Sequence, residues 1–489
     1  MEAGDRLAAD LEENLQRLGP LVGLGVSFDV LVRKIQVGGR QAAFLFIDGF
    51  IKDLVTSRLL QVLQETGPGD LAPRTMQSIL DRHLPYVEVS TRDTLSGVID
   101  CLLTGQAVLL IDQERQAVVV DVREYPTRNP EEPDLERVIR GSRDGFVETL
   151  IFNTVLVRRR LRDPALRIEL VEVGARSRTD VAVLYLEDVA PPELVKTVKE
   201  RIGGIKVDGL PMAEKALEEF IVDRQNWWNP FPTVRYTERP DVAAIHLLEG
   251  HVLILVDTSP SAIILPVSLF HHLQHAQEFR EAPVVGVYVR LIRLLGVAVS
   301  WVGPPLWVAL VLAPGKLPPF LAAIGPKDPG TIHLGVQFIL AEFGVNLVRI
   351  ALIHTPTALA TSLGFIGAIV LGEIAVAVGL FCREALLYVG LAALGSFATP
   401  SVEFASAVGL VRMFLLALAS VLHLAGLGVG LIAVLVLLAR TRSFGLPYLW
   451  PLYPLDVGAL WNVLIRQPVP TMVRRPRFLR LQQRKRARR

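Results

Sequence analysis

Residues 294–313, LLGVAVSWVGPPLWVALVLA, contain no charged side chain. A hydrocarbon core about 30 Å thick needs about 20 helical residues to span it, so this stretch predicts a membrane helix. A second run, Met413–Ala439, carries only His423 as an ionisable group. Before Pro283 the character is different: charges occur throughout, and no apolar run is long enough to cross a bilayer. The expected fold is an α/β cytosolic domain of two subdomains followed by an α-helical polytopic membrane domain. Its divisions are expected at 1–125, 126–282, 283–442 and a basic cytoplasmic tail, 443–489.

The bulk numbers fit such a mixed chain. Its 489 residues are 51% hydrophobic with a net charge of +2 and a mean hydropathy of +0.41. The stretch Arg474–Arg489 is densely basic and lacks Asp and Glu. Beside a membrane domain such a run is expected on anionic lipid at the cytoplasmic face rather than on nucleic acid. Arg474 and Arg475, with Arg290 and Arg293 before the first span, are the candidate membrane-surface cations. Two cysteines, Cys101 and Cys382, support neither a disulfide framework nor a zinc site. The segment Met1–Leu18 predicts an acidic amphipathic helix without the basic and apolar regions of a signal peptide, so the soluble half is expected in the cytoplasm.

In that half, Ser27–Val37 and Gln41–Ile47 flank Gly38-Gly39 as a hairpin, and a helix runs to about Glu65. Pro85–Ser90 predicts a strand, Thr91–Thr104 a helix, and Gln106–Asp112 with Gln116–Val122 a second hairpin. After a Pro-rich connector, Phe146, Leu150, Val157 and Leu161 predict a helix over about 143–162. Strands at Ile168–Val173 and Asp180–Glu187 follow, then helices at Pro191–Arg201 and Met212–Asp223 and a hairpin at 251–266.

The membrane half offers five segments: Leu294–Ala313, Ile332–Ile353, Ala358–Phe381, Ala385–Thr399 and Met413–Ala439. Five spans would put the basic tail outside, against the positive-inside rule. Treating the polar Ile332–Ile353 as amphipathic or re-entrant leaves four spans and puts Arg383, Arg440, Arg442 and the tail inside. A six-span version would break the last run at Gly426, Gly428 and Gly430. Pro304-Pro305, Thr355-Pro356 and Thr399-Pro400 are expected helix breaks. Gly364, Gly367, Ala368 and Gly372 are expected at close helix contacts.

Glu342, Asn346 and Arg349 share one helix face. Charges in hydrocarbon cost several kcal/mol and face a bundle interior, a partner or water. The face either lines an ion path or holds a Glu342–Arg349 or inter-subunit ion pair. Glu373, alone in an apolar segment, is the second candidate for the path, and His354 stands at a break. In the soluble half, Arg158-Arg159-Arg160 and Arg162 are expected to complement a helix C-terminus or to pair with Glu131, Glu132, Asp134 and Glu136. Asp48 and Asp257 are expected turn formers. No Rossmann turn, P-loop, HExxH, CxxC or Ser/His/Asp set is present, so neither an enzyme nor a cofactor or metal is predicted.

Longer patterns carry a resemblance. Arg140-Gly-Ser-Arg-Asp-Gly-Phe-Val-Glu-Thr149, Asn153, Arg158-Arg159-Arg160, Thr237-Glu-Arg-Pro-Asp241, Glu249-Gly-His-Val252 and Ser443-Phe-Gly-Leu-Pro-Tyr448 resemble the GerA family of spore germination proteins. Asp208–Lys215, Ile353–Pro356 and Arg466–Pro470 narrow the resemblance to one branch, away from the germinant-receptor A subunits. The resemblance implies a multi-pass protein of the spore inner membrane (the forespore cell membrane) with its N-terminal domain cytoplasmic. It implies a homo-oligomer working with other spore membrane germination proteins, as an ion channel or accessory channel subunit that releases monovalent cations and amplifies germination. A non-conducting scaffold of a germination or dipicolinic acid release complex is the alternative. No catalytic residue and no nucleic acid are implied.

Overall fold

Gly38 and Gly39 take φ of 58° and 77°, as a two-residue hairpin turn requires. They join β1 (Val30–Val37) to β2 (Arg40–Ile47), with Val37 opposite Arg40. Adding β3 (Val89–Arg92), β4 (Ala107–Ile111) and β5 (Ala117–Val120) gives an antiparallel sheet in the order β1-β2-β4-β5-β3. The strands alternate between two cores. Ala43, Leu45, Val108 and Val119 pack under α1 (Leu11–Val22) and α3 (Leu95–Leu103), while Phe44, Leu109 and Val118 meet α2 (Asp53–Glu65). This computed structural model describes residues 5–71, 75–84, 88–125, 133, 136–222, 228–313, 325–354, 364, 367, 369–471, 475–476, 479, 481–483 and 485–486.

The second sheet repeats the first. β6 (Leu166–Val173), β7 (Thr179–Leu186), β8 (Arg235–Thr237), β9 (Val252–Val256) and β10 (Ala262–Leu265) are ordered β6-β7-β9-β10-β8. Its helices are α4 (Leu150–Arg160), α5 (Pro192–Gly203), α6 (Ala213–Ile221) and α7 (Pro240–Glu249). The likeness extends to single bonds. Asn14 clasps the backbone of Ala8 through both amide atoms (2.9 and 2.8 Å), and Asn153 clasps Val147 in the same way (2.8 and 2.5 Å). Asp112 accepts from the first N–H of α1, Leu11, at 3.2 Å, and Asp257 accepts from that of α4, Leu150, at 3.1 Å. Gln113 and Thr258 follow with φ of 66° and 69°. The α/β unit is an internal duplication, visible in sequence as Gly105-Gln-Ala-Val-Leu-Leu-Ile-Asp112 against Gly250-His-Val-Leu-Ile-Leu-Val-Asp257.

Three helices of the α/β unit differ from expectation, one of them α3, which starts at Leu95 rather than Thr91 because β3 runs on to Arg92. The first helix is Leu11–Val22, capped by Asp10, rather than Met1–Leu18. Helix α4 begins at Leu150, not near Arg143, because Phe146 donates its N–H to Glu238 O at 2.8 Å and the Asn153 clasp holds Val147 out of the helix.

By contact the chain divides into two units: Met1–Val222 with Tyr236–Pro266 and Val473–Arg489, and Asp223–Arg235 with Val267–Met472. The second unit is helical. α8 (Pro283–Leu312), α9 (Leu334–His354) and α11 (Val402–Arg440) include the three described helices long and apolar enough to cross a membrane. α10 (Arg383–Phe397), with 15 residues, spans about 22 Å. Pro304-Pro305 does not break α8, which runs through it. Thr399-Pro400 does separate α10 from α11, whose first turn is capped by Ser401. Thr355-Pro356, Ala368 and the side chain of His354 lie outside the described residues.

Helix α11 turns sharply at His423 (φ 52°, ψ −132°), so the last apolar run folds back on itself. Val434 and Leu438 return to a core with Phe404, Val408 and Val411. The break is at His423 rather than at the following glycines, which serve the return: a Cβ on Gly426 would lie 2.2 Å from Leu418 O.

Glycine also sets the crossing of α8 and α10. A Cβ on Gly395 would lie 2.1 Å from Gly296 O and 2.8 Å from Ser300 Cβ. Gly395→Ala must push the two helices apart, with an expected loss of about 1–3 kcal/mol. Gly428, with nothing within 4 Å of a Cβ, is the control. A lowered melting temperature is expected for Gly395→Ala and none for Gly428→Ala; equal melting of the two would contradict this crossing.

Candidate functional site

Pro304 has no backbone N–H, so the carbonyl four residues earlier, that of Ser300, loses its helical donor. Arg412 on α11 supplies one, its Nη1 donating to Ser300 O at 2.8 Å and to Ser300 Oγ at 2.7 Å. The rest of the guanidinium holds Glu342 on α9. Nε donates to Oε2 at 3.2 Å and Nη2 to Oε1, a two-pronged ion pair. Ser396 on α10 completes the junction, its hydroxyl 2.9 Å from that of Ser300 and 3.4 Å from Arg412 Nη1. Four helices therefore meet on one charged pair. Both side chains are only 4% exposed. Such a pair persists in an apolar bundle only when its remaining donors and acceptors are satisfied.

Asn346 donates to Glu342 O at 3.0 Å and to its Oε1 at 3.4 Å. Beside the junction lies a cavity of about 230 Å³, whose lining includes Asn346, Arg349, Ser396, Ser406, Phe397 and Leu410. The face of Glu342, Asn346 and Arg349 is thus assembled at one cavity, but Glu342 pairs with Arg412 and not with Arg349. Among the described residues Arg349 has no ionic partner. Arg412, Ser300 and Ser396 went unrecognised in the sequence. Starting the last span at Met413 left Arg412 outside it by one residue, and the available signal was a proline four residues after Ser300.

Glu373 is exposed in Ile369–Ile374 and is not among the residues that line this cavity. Gly367 does make a close helix contact: a Cβ there would meet Val348 Cγ2 at 2.9 Å. Gly364 and Gly372 have nothing within 4 Å.

Residues 21–478 match the Bacillus/Clostridium GerA spore germination protein family. The chain belongs to the GerA family of spore germination proteins. It is 45% identical to stage V sporulation protein AF of Bacillus subtilis (strain 168), over 93% of this chain and 92% of that protein. Spore germination protein GerLA of Bacillus cereus is 30% identical over 93% of each. Among solved structures, the N-terminal domain of the A subunit of the Bacillus megaterium spore germinant receptor GerK3 covers 53% of this chain and 95% of its own, at 27% identity and a TM-score of 0.42.

The signature residues of this GerA-family chain do structural work. Arg239 bonds Asp241 (3.0 and 2.9 Å), Ser142 O (3.0 Å) and Glu136 O (3.2 Å), and Arg160 pairs with Asp144. Arg158 is buried against Asp29, with Nε and Nη2 at 2.9 and 3.0 Å from its carboxylate, and Arg159 lies 4.4 Å over the Tyr125 ring. The three arginines stand in the last turn of α4, where Arg160 also donates to Leu156 O at 2.8 Å; Glu131, Glu132 and Asp134 of the expected acidic connector lie outside the described residues. The Ser443–Tyr448 stretch turns at Phe444 and Gly445 (φ 45° and 86°), and Ser443 Oγ donates to Thr233 O while accepting from Val267 N.

Arg290 and Arg293 both pair with Glu278, whose side chain is fully buried. Arg290 also donates to Asn462 O and Val463 O, in the last turn of α12 (Val457–Leu464), at 3.1 and 2.9 Å. Arg475 is buried, donating to Leu248 O (2.7 Å), Gln483 O (3.1 Å) and Lys485 O (2.8 Å), and burial pushes its pKa down. Near it Gln482 bonds the carbonyls of Glu187 and Ala190, and Arg486 pairs with Glu249. Arg474 lies outside the described residues.

His272 is buried in the helical unit, stacked on Phe404 with centroids 5.7 Å apart and Nδ1 3.3 Å from Ser401 Oγ. Burial, helped by the charge of Arg235, pushes its pKa down to about 3. The unfolded imidazole takes up a proton below about pH 6.5 that the folded one refuses, so stability falls by about 1.4 kcal/mol per pH unit from there toward about 3. His272→Phe is expected to flatten the fall in melting temperature between about pH 6.5 and pH 5; an unchanged slope would exclude His272 as its source.

Proposed function

We propose that this GerA-family protein is a multi-pass subunit of the spore inner membrane, with its α/β domain in the cytoplasm. It assembles as a homo-oligomer, with other spore membrane germination proteins as partners, and conducts monovalent cations that amplify germination. The observation that supports this is the polar face of Glu342, Asn346 and Arg349 on an open cavity of an otherwise apolar helical unit. Polar groups at membrane depth are costly and mark solute or ion paths, or the interfaces that surround them. The relatives named as spore germination proteins support the cellular setting. Basic tail residues beyond the described ones, Arg474 among them, are proposed to rest on anionic lipid.

A specific observation favours a second reading. Glu342 is fully engaged by Arg412, which suits a lock between helices in a non-conducting scaffold of a germination or dipicolinic acid release complex. Potassium efflux from liposomes holding the purified oligomer, alone and with its membrane partners, separates the two. Conduction predicts efflux; intact oligomers with none under any condition would leave the scaffold.

A further inference from the structure

We propose that the cavity beside Arg349 binds a small organic monocarboxylate. Its lining holds two cations, Arg349 and Arg412, and one anion, Glu342, whose carboxylate both prongs of Arg412 already occupy. The residual charge is therefore +1 and sits on Arg349. Among the described residues Glu342 is the one acidic residue of the lining, and the sequence of residues 314–324 and 355–368 contains no Asp or Glu. Arg349 is half-buried; at membrane depth a guanidinium without a counter-charge is costly, and a bound anion lowers that cost.

The shape of the site selects the anion. A guanidinium presents parallel donors that fit the two oxygens of a carboxylate, a geometry a halide cannot match. Ser396 and Asn346 stand beside it as polar contacts, and Phe397, Leu410 and Met413 give an apolar wall for a carbon skeleton. At about 30 Å³ per water, 230 Å³ holds roughly seven waters, the bulk of a carboxylate with a short chain or one ring. The bare cavity repels a cation and the bound anion cancels that charge. On the conducting reading, which this one consequence needs, the anion opens the face to cations.

The test is calorimetric titration of the full-length protein in nanodiscs with sodium benzoate, and with sodium chloride as the point-charge comparison. Saturable benzoate binding is expected, stronger than any chloride binding. Arg349→Gln should weaken it about 10- to 100-fold, the worth of a hydrogen-bonded charge. Ser406→Phe, at an exposed position of α11, should abolish binding by filling the cavity with Arg349 intact. It keeps the test available if Arg349→Gln does not fold. Any of three results overturns the proposal: no saturable binding up to about 10 mM, equal competition by chloride, or full affinity in either variant. A neighbouring copy's acidic side chain already in the cavity would give the first. Binding is read without flux, so a non-conducting protein that binds benzoate would sink the channel reading alone.

Discussion

Arg412→Met should cost about 3–5 kcal/mol, because it leaves Glu342 buried without its partner. The loss has a second part: Ser300 O would again lack a donor, since Pro304 cannot return one. Glu342→Met should be as harmful, leaving the guanidinium unpaired. Paired apolar substitution is different, since two buried charges repay their desolvation only in part. The double variant Glu342→Met/Arg412→Met should regain most of the stability lost by either single change. Thermal unfolding in detergent, followed by tryptophan fluorescence, measures all three. Additive losses in the double variant would mean that the two side chains do not act as a pair.

The second large effect belongs to the α/β unit. Arg158→Met removes the bidentate partner of Asp29 at a site where the two side chains are 1% and 3% exposed. It also takes a donor from Leu166 O, 3.2 Å from Nη1. The expected cost is again about 3–5 kcal/mol. Arg159→Met, one residue along the helix and exposed, should lose only the stacking on Tyr125, about 0.5–1 kcal/mol. Chemical denaturation of the purified protein distinguishes them, and similar losses would contradict the placement of Arg158.

The division into an α/β part and a helical membrane part was legible because bilayer thickness imposes a length on uncharged runs, and Leu294–Ala313 meets it outright. The hairpin at Gly38-Gly39 was legible for a local reason too, the positive φ that glycine accepts. What escaped was set by distant partners. Phe146 fits a helical spacing, yet its N–H is taken by Glu238, ninety-two positions away in the chain. Arg158 was expected to complement the helix C-terminus or to pair with the acidic connector, and only the fold brings Asp29 to it. The duplication is faint in the sequence because turn glycines, clasping asparagines and capping aspartates repeat while the apolar residues between them change identity.

The candidate site divides the same way. The shared face of Glu342, Asn346 and Arg349 follows from helical periodicity alone. The counter-charge came from Arg412, seventy residues on, and its other contact depends on a carbonyl that a proline released. A helix break was expected at Pro304-Pro305; the helix continues, and the freed carbonyl becomes part of the charged junction instead.

The central claim is that this junction belongs to the conducting face of an oligomer. Its most direct test is potassium flux through proteoliposomes, comparing the wild-type protein with the Glu342→Met/Arg412→Met variant at matched oligomer content. The account predicts flux in the wild type and a several-fold change in flux or selectivity in the variant. Equal flux with equal selectivity in the two would contradict it.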